Sequence, residues 1–164
     1  MRQLASVLAS VAVGVAILGT SLTVVLAARF SYPWFSAGRY NSHQLTMAQM
    51  QANYDRIIEY SLFPWVRELH LETLPMSDAG AQHFAEAKDI FQLFVQGGLL
   101  ALVVAVVLGS WLWRRHRSTG FLTAGAIIAL ATPLMLAVPL AIDFDRAFVV
   151  FHEIAFDNEL WIFD

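Results

Sequence analysis

Three long apolar stretches, separated by polar segments, organise this chain of 164 residues. The first covers residues 4–28 and holds no charged side chain, and the others cover about 90–113 and about 121–142. Each is long enough to cross the hydrocarbon core of a bilayer, which takes roughly 20 helical residues. The pattern predicts an all-α, polytopic membrane protein with about three transmembrane helices, forming a single membrane domain over residues 1–164.

The composition supports this class and excludes several others. Hydrophobic residues make up 58% of the chain and charged residues only 14%, whereas a soluble domain has roughly 45–50% apolar and about 25% charged residues. The net charge of −3 offers no basic field for a nucleic acid. The absence of cysteine excludes disulfides, thiolate nucleophiles and thiolate metal sites.

Small residues and prolines qualify the interpretation of the apolar stretches. Residues 26–28 resemble a signal-peptide cleavage site, but the apolar core of a signal peptide is only about 7–15 residues long, so we favour a span. Gly14 and Gly19 suit close packing against another helix. Pro133 and Pro139 predict kinks in the third span that neighbouring helices cover.

A basic loop between the second and third stretches predicts the orientation. Arg114, Arg115 and Arg117 lie there without any acidic residue, and short arginine-rich loops stay on the cytoplasmic side. We therefore expect a cytoplasmic N-terminus, with residues 29–89 forming an extracytoplasmic cap and residues 143–164 an extracytoplasmic tail.

The outer segments carry helical patterns of their own. Residues 46–62 have apolar positions at helical spacing, and Pro64 predicts the end of that helix. Ser77 is a candidate N-cap for a helix that continues into the second span. Residues 69–74 alternate and suit a short extended piece, whereas residues 144–156 are helical in pattern. Because so many of these residues are apolar, we expect a helical cap lying in the outer interface.

Two histidines offer the clearest candidate chemistry. His83 and His152 each fall just outside a predicted span, on the same predicted side, and an imidazole can exchange protons near neutral pH. His83 and Glu86 are i, i+3 neighbours on a helix, so the carboxylate could fix the histidine tautomer. From composition alone, the simpler interpretation of His83 and Glu86 is a solvated helix face. The simpler interpretation of His152 is a structural histidine.

Other kinds of site have weaker support in the sequence. Neither the ligand spacing of a zinc protease nor a glycine-rich phosphate loop or serine-nucleophile elbow occurs, so we predict no metal site. His43 and His70 are interpreted as structural or exposed, and His116 as part of the basic loop.

Three stretches resemble a known family. They are Tyr60-Ser-Leu, the run from Leu74-Pro-Met-Ser through His83-Phe-Ala-Glu-Ala-Lys to Phe91, and residues 151–164, Phe-His-Glu-Ile-Ala-Phe-Asp-Asn-Glu-Leu-Trp-Ile-Phe-Asp. Together with the order of spans and cap, they resemble the lipoprotein intramolecular transacylase family of bacterial integral membrane proteins. The family motif usually continues Asp-Val-Lys after the histidine segment, where this chain has Glu-Ala-Lys, and members continue into a fourth span beyond the tryptophan.

The resemblance implies an enzyme that acts on lipoproteins whose N-terminal cysteine carries a diacylglyceryl group. It would move the sn-2 acyl chain to the cysteine α-amino group, giving a lyso-form lipoprotein, by histidine acid/base catalysis at the extracytoplasmic face and without a cofactor. The implied partners are diacylglyceryl-modified lipoproteins and membrane lipid, with no nucleic acid.

The resemblance also implies which residues form the site. His83 is favoured as the base, oriented by Glu86, and His152 as the group that stabilises the oxyanion or protonates the leaving alkoxide, although the two roles could be exchanged. The implied substrate-binding residues are Arg56, Lys88, Asn158 and Trp161.

Two other functions stay open at this point. A non-catalytic membrane accessory or lipid-binding protein would keep the spans and tolerate loss of both histidines. A metal-dependent membrane hydrolase would use the same histidines, but it would release free fatty acid.

Overall fold

A computed structural model of the chain describes residues 1–36 and 44–162, and all regular structure within these ranges is helical. The helices are α1 (Arg2–Ala27), α2 (Tyr32–Ser36), α3 (Met47–Leu62), α4 (Asp78–His116), α5 (Gly120–Ile142) and α6 (Phe144–Ala155), with a 3₁₀ turn at Arg29–Ser31. Three of them, α1, α4 and α5, are long and apolar enough to cross a membrane. The predicted all-α class with three spans is therefore confirmed.

The chain folds as two compact units. The bundle unit comprises Met1–Leu22 and Phe94–Asp157, and the cap unit comprises Thr23–Leu93 and Asn158–Asp164. The continuous helix α4 contributes its first 16 residues to the cap unit and the rest to the bundle unit. The single membrane domain expected from the sequence stays a prediction.

Glycines set the spacing of α1 and α4 in the bundle unit. A methyl group added to Gly19 would lie 2.8 Å from the Cα atom of Gly98 and 2.8 Å from the carbonyl oxygen of Phe94. Helices in membranes approach closely where small residues meet, because the backbones then gain van der Waals contact. The packing role predicted for Gly19 is confirmed.

A second close approach joins α1 to α5. A methyl group on Gly14 would lie 2.7 Å from Cγ2 of Ile128, and one on Gly125 would lie 2.5 Å from Cβ of Val13. Near the start of α5, Phe121 packs with Ala9 of α1 and Leu112 of α4 in a small buried cluster. The predicted packing role of Gly14 is therefore confirmed as well.

The two prolines of α5 differ from expectation. Pro133 and Pro139 lie inside the helix, but both are exposed, as are all residues from 133 to 142. The buried positions of α5 are Phe121, Gly125 and Ala129, all in its first half. The prediction that neighbouring helices cover the prolines is wrong within the described residues, because the packed face of α5 ends before the first proline.

Local sequence signals fix the ends of the cap helices. Thr46 and Gln49 form a reciprocal capping box at the start of α3, with the Thr46 amide donating to Gln49 Oε1 at 2.9 Å. The helix ends at Leu62 because Phe63, which precedes a proline, is extended. At the start of α4, the Gly80 amide donates to Ser77 Oγ at 3.1 Å. The predicted caps and the predicted helix over 46–62 are confirmed.

Two shorter segments complete the cap unit. Residues 69–74, predicted as a short extended piece, form neither helix nor strand, and Asn53 Nδ2 donates to Thr73 Oγ1 at 2.5 Å. Because a single extended run without a pairing partner does not form a ladder, the extended piece stays a prediction. The sequence from Arg29 to Phe35 forms the 3₁₀ turn and most of α2.

Candidate active site

A carboxylate on the first turns of α4 is held by amide donors from two parts of the cap unit. Asn158 Nδ2 lies 3.1 Å from Glu86 Oε1 and 3.0 Å from Glu86 Oε2, across 72 residues of sequence. Gln82 Nε2 donates to Oε1 at 3.0 Å from one helical turn earlier. Hydrogen bonds of this kind stabilise the ionised form of a carboxylate. Glu86 is therefore a fixed negative charge.

The turn that carries Asn158 is itself held by hydrogen bonds. The Leu160 amide donates to Asn158 Oδ1 at 3.0 Å, and Trp161 Nε1 donates to the Asn158 carbonyl oxygen at 2.9 Å. Because an amide oxygen only accepts and a carboxylate only accepts, these bonds require that the Asn158 NH₂ group faces Glu86. The interactions make Asn158 a positioning group for the carboxylate.

His83 lies three residues before Glu86 on the same helix. Its ring is half-buried and its Nδ1 atom is buried, and it interacts electrostatically with the Glu86 carboxylate. A nearby negative charge favours the protonated form of an imidazole. The arrangement can therefore stabilise the imidazolium that forms when His83 accepts a proton.

Lys88 lies two residues beyond Glu86 and contacts two distant parts of the cap unit. Its Nζ donates to the carbonyl oxygen of Val66 and lies 4.3 Å from the centroid of the Tyr60 ring. Burial, and then the carboxylate of Asp89, raises the pKa of Tyr60 above its usual value, so its hydroxyl stays neutral. One of the three ammonium donors is used by Val66, and a substrate contact by the others stays a prediction.

Arg56, also predicted to bind substrate, is engaged by residues of the cap unit. Its Nη1 atom lies 2.9 Å from Glu59 Oε2, one turn along α3, and its Nη2 atom donates to the carbonyl oxygen of Glu68 at 3.3 Å. Both partners are polar groups of the cap itself. Arg56 therefore braces the segment that follows α3, and its substrate contact stays a prediction.

His152 belongs to the bundle unit and is only 9% exposed. Its Nδ1 atom lies 2.8 Å from the carbonyl oxygen of Phe148. A carbonyl oxygen cannot donate, so Nδ1 carries the hydrogen, and in the neutral ring Nε2 carries the lone pair. The ring centroids of Phe148 and Phe156 lie 4.0 and 5.5 Å away. Helix α6 thus holds this imidazole in one tautomer among aromatic rings.

The cap unit brings together most of the predicted site residues, which are His83, Glu86, Lys88, Asn158 and Trp161. His152 belongs to the bundle unit, and its approach to His83 stays a prediction. Within the described residues, no group of three or more histidine, aspartate or glutamate side chains has the geometry of a metal site.

Sequence reasoning missed two contributors to this cluster. The Gln82 bond to Glu86 spans four residues of one helix, so its i, i+4 spacing could have revealed it. The contact of Tyr60 with Lys88 spans 28 residues. No local sequence pattern predicts that contact, because it depends on how α3 packs against α4.

Comparisons with known proteins agree with the resemblance in the sequence. A family model described as lipoprotein intramolecular transacylase Lit matches residues 7–164. The in meso structure of the membrane integral lipoprotein intramolecular transacylase Lit from Bacillus cereus matches with a TM-score of 0.91 at 29% identity, covering 100% of this chain and 77% of that chain.

Two variant structures of the same Bacillus cereus protein also match. One has a histidine replaced by arginine and the other by alanine, and they cover 100% of this chain at 28% identity with a TM-score of 0.82. The matches cover 74% and 75% of the two variant chains. No curated protein sequence matches the chain.

Proposed function

Because the chain belongs to the lipoprotein intramolecular transacylase family, and is therefore a membrane acyltransferase, we propose that it moves the sn-2 acyl chain of a diacylglyceryl-modified cysteine to that cysteine's α-amino group. The product is an N-acylated, lyso-form lipoprotein. The amine and the ester belong to one substrate molecule, so orienting them supplies much of the rate acceleration.

The proposed topology follows from the arginines of the loop between α4 and α5. Arg114, Arg115 and Arg117 stay in the cytoplasm, which puts the N-terminus there and the start of α4 outside. The lipidated cysteine of a lipoprotein lies at the outer surface with its acyl chains in the bilayer. His83 and Glu86, in the first turns of α4, then meet the substrate at the level of the ester.

In the proposed mechanism, His83 is the general base. It removes a proton from the amine as the nitrogen attacks the ester carbonyl, and Glu86 stabilises the resulting imidazolium. A free α-amine has a pKa near about 7.7–8, so an imidazole is well matched to this transfer. The two histidine variants among the Bacillus cereus structures support a functional histidine in the family.

The second half of the reaction needs a proton at the glycerol oxygen. The C–O bond of the ester breaks as the new C–N bond is completed, and the imidazolium form of His152 donates the Nε2 proton to the leaving alkoxide. One proton leaves the amine and one reaches the glycerol hydroxyl, so the step is balanced and proton exchange with water restores both rings. Nδ1 of His152 is already committed to Phe148, so Nε2 is the atom that can exchange.

One observation carries the proposal. The turn after α6 reaches Glu86 through two hydrogen bonds from Asn158, which joins the two sequence segments that carry the family resemblance. A solvated helix face would need no such contact. The interaction supports a preorganised carboxylate next to His83.

A crossover experiment tests the proposed reaction. The purified protein in vesicles receives a mixture of an unlabelled diacylglyceryl lipopeptide and one labelled in both its peptide and its sn-2 acyl chain. Intramolecular transfer leaves the mass of each substrate unchanged, but places its own acyl chain on its own N-terminus, which fragmentation reveals. Mixed label pairs would contradict the intramolecular step, and free fatty acid in place of N-acyl product would favour a hydrolase.

A further inference from the structure

A cavity of about 750 Å³ is lined only by residues of the cap unit. Arg56 is one of them, whereas His83, Glu86 and Asn158 are not. One face of α3 forms one wall, where Ala48 and Ala52 leave room, and His70, Glu72 and Arg29 complete the lining together with further polar residues of α3. Its size falls within the ~300–1,000 Å³ of ordinary ligand pockets. We call this cavity the cap groove.

Charged groups of both signs line the cap groove. Arg56 is paired with Glu59 at 2.9 Å, and Asp55 accepts a hydrogen bond from Gln51 at 2.8 Å. By contrast, the side chains of three other lining residues make no hydrogen bond or ion pair with any residue in the described part of the chain. These residues are Arg29, His70 and Glu72.

The mixed charge narrows the class of ligand. A phosphate or an anionic lipid headgroup would face three carboxylates, from Asp55, Glu59 and Glu72, against two guanidinium groups, so its attraction would be largely cancelled. A polypeptide offers N–H donors, carbonyl acceptors and side chains of either charge, and it can satisfy Arg29 and Glu72 together. We propose that the cap groove binds the polypeptide segment that follows the lipidated cysteine of the substrate; this inference rests on the proposed function.

The connection between the cap groove and the proposed reacting groups runs through one loop. Arg56, on the groove wall, donates to the carbonyl oxygen of Glu68, and Lys88, two residues from Glu86, donates to the carbonyl oxygen of Val66. The groove and the start of α4 therefore brace the same segment at positions two residues apart. This shared segment links the groove wall to the helix that carries His83 and Glu86.

This arrangement explains why an acyl transfer within one molecule would need a peptide site. The acyl chains hold the ester in the bilayer, but they do not orient the amine. Binding the peptide that follows the cysteine restricts the amine, so that binding energy from a remote part of the substrate is used for orientation.

Charge reversal in the cap groove tests the inference. The substrates are two diacylglyceryl lipopeptides, one lysine-rich and one glutamate-rich after the cysteine, and a third that ends at the amidated cysteine. Arg29→Glu is expected to shift the kcat/KM ratio roughly three- to tenfold towards the lysine-rich peptide, and Glu72→Lys by a similar factor the other way. The matched controls Arg67→Glu and Asp78→Lys change exposed side chains outside the groove and should shift neither ratio.

Each outcome of this experiment decides something. Unchanged ratios in both groove variants, with normal acyl transfer, would overturn the peptide site and leave the proposed function intact. An equal loss on all three substrates, including the one without a peptide, would assign the groove to a lipid headgroup and would also overturn it. If the unmodified protein converts none of the substrates, the proposed function itself fails.

Discussion

The contacts inside the bundle unit differ in kind from the contacts inside the cap unit. In the bundle unit, helices meet where side chains are missing, as at Gly19 and Gly98. In the cap unit, polar side chains reach backbone carbonyls and carboxylates far along the chain, as Lys88 does to Val66 and Asn158 does to Glu86. The first kind of contact needs only small residues, whereas the second fixes charged groups in place. The polar contacts of the cap unit therefore fix Glu86 beside His83, whereas His152 is held by the bundle unit.

The largest expected effect is the loss of acyl-transfer rate when either histidine is replaced by alanine. His83→Ala and His152→Ala should each lower the rate of acyl transfer by about 10²–10⁴, the usual contribution of a general acid or base. Because His152 is buried and its truncation leaves a cavity, the midpoint of thermal unfolding in detergent is measured for both variants, and the rates are compared below the lower midpoint. The measurement is the rate of N-acyl product formation by mass spectrometry.

His116→Ala is the control for this pair. His116 lies at the end of α4 and contacts Trp111, with 5.1 Å between the ring centroids. It should retain the rate of the unmodified protein. Normal acyl transfer in both His83→Ala and His152→Ala would remove the catalytic role and favour an accessory protein.

The next effect concerns the hydrogen bonds that hold Glu86. Asn158→Ala removes two donors to a charged group, which typically cost about 1.5–3 kcal/mol, so kcat should fall by about tenfold or more. The carboxylate also becomes easier to protonate without these bonds. Below the decline set by His83 and the substrate amine, kcat/KM should therefore fall more steeply with falling pH than in the unmodified protein, because Glu86 now loses its charge there. A merely structural change would not produce this difference.

Glu159→Ala is the matched control, since it alters an exposed side chain on the same turn. Its pH profile should coincide with that of the unmodified protein. If Asn158→Ala lowers the rate but leaves the acid-side decline no steeper than it was, Asn158 does not act through the Glu86 carboxylate.

Neighbouring glycines on α4 test the packing of the bundle unit. Gly98→Val should destabilise the protein by about 1–3 kcal/mol, the usual cost of overpacking, because a side chain there meets the α1 backbone at 3.0 Å. Gly97→Val should be close to neutral, since a methyl group there meets nothing within 4 Å. The midpoint of thermal unfolding in detergent measures both variants, and equal shifts would contradict the described α1–α4 contact.

The smallest expected effect is local to the cap unit. Thr46→Ala removes the N-cap of α3 and should cost about 1 kcal/mol. Hydrogen exchange of the first amides of α3, including that of Gln49, should become faster, while exchange in α5 stays the same. Faster exchange in α5 as well would contradict an effect confined to the start of α3.

The sequence predicted what local patterns control. The capping box at Thr46, the N-cap at Ser77 and the three spans all follow from residues that are near one another in the chain. The exposure of Pro133 could not be read from hydropathy, because lipid-facing and protein-facing positions of α5 are equally apolar. The Lys88 contact with Val66 depends on tertiary packing, so the residue types suggested a site but not which groups hold it.

A double-mutant cycle on the two histidines tests the central claim most directly. If His83 and His152 act on one substrate as a unit, the variant with both replaced by alanine should transfer acyl chains little more slowly than the slower single variant, because residues that act together are strongly non-additive. Losses that multiply in the double variant would mean that the two imidazoles work independently, which would contradict the proposed mechanism.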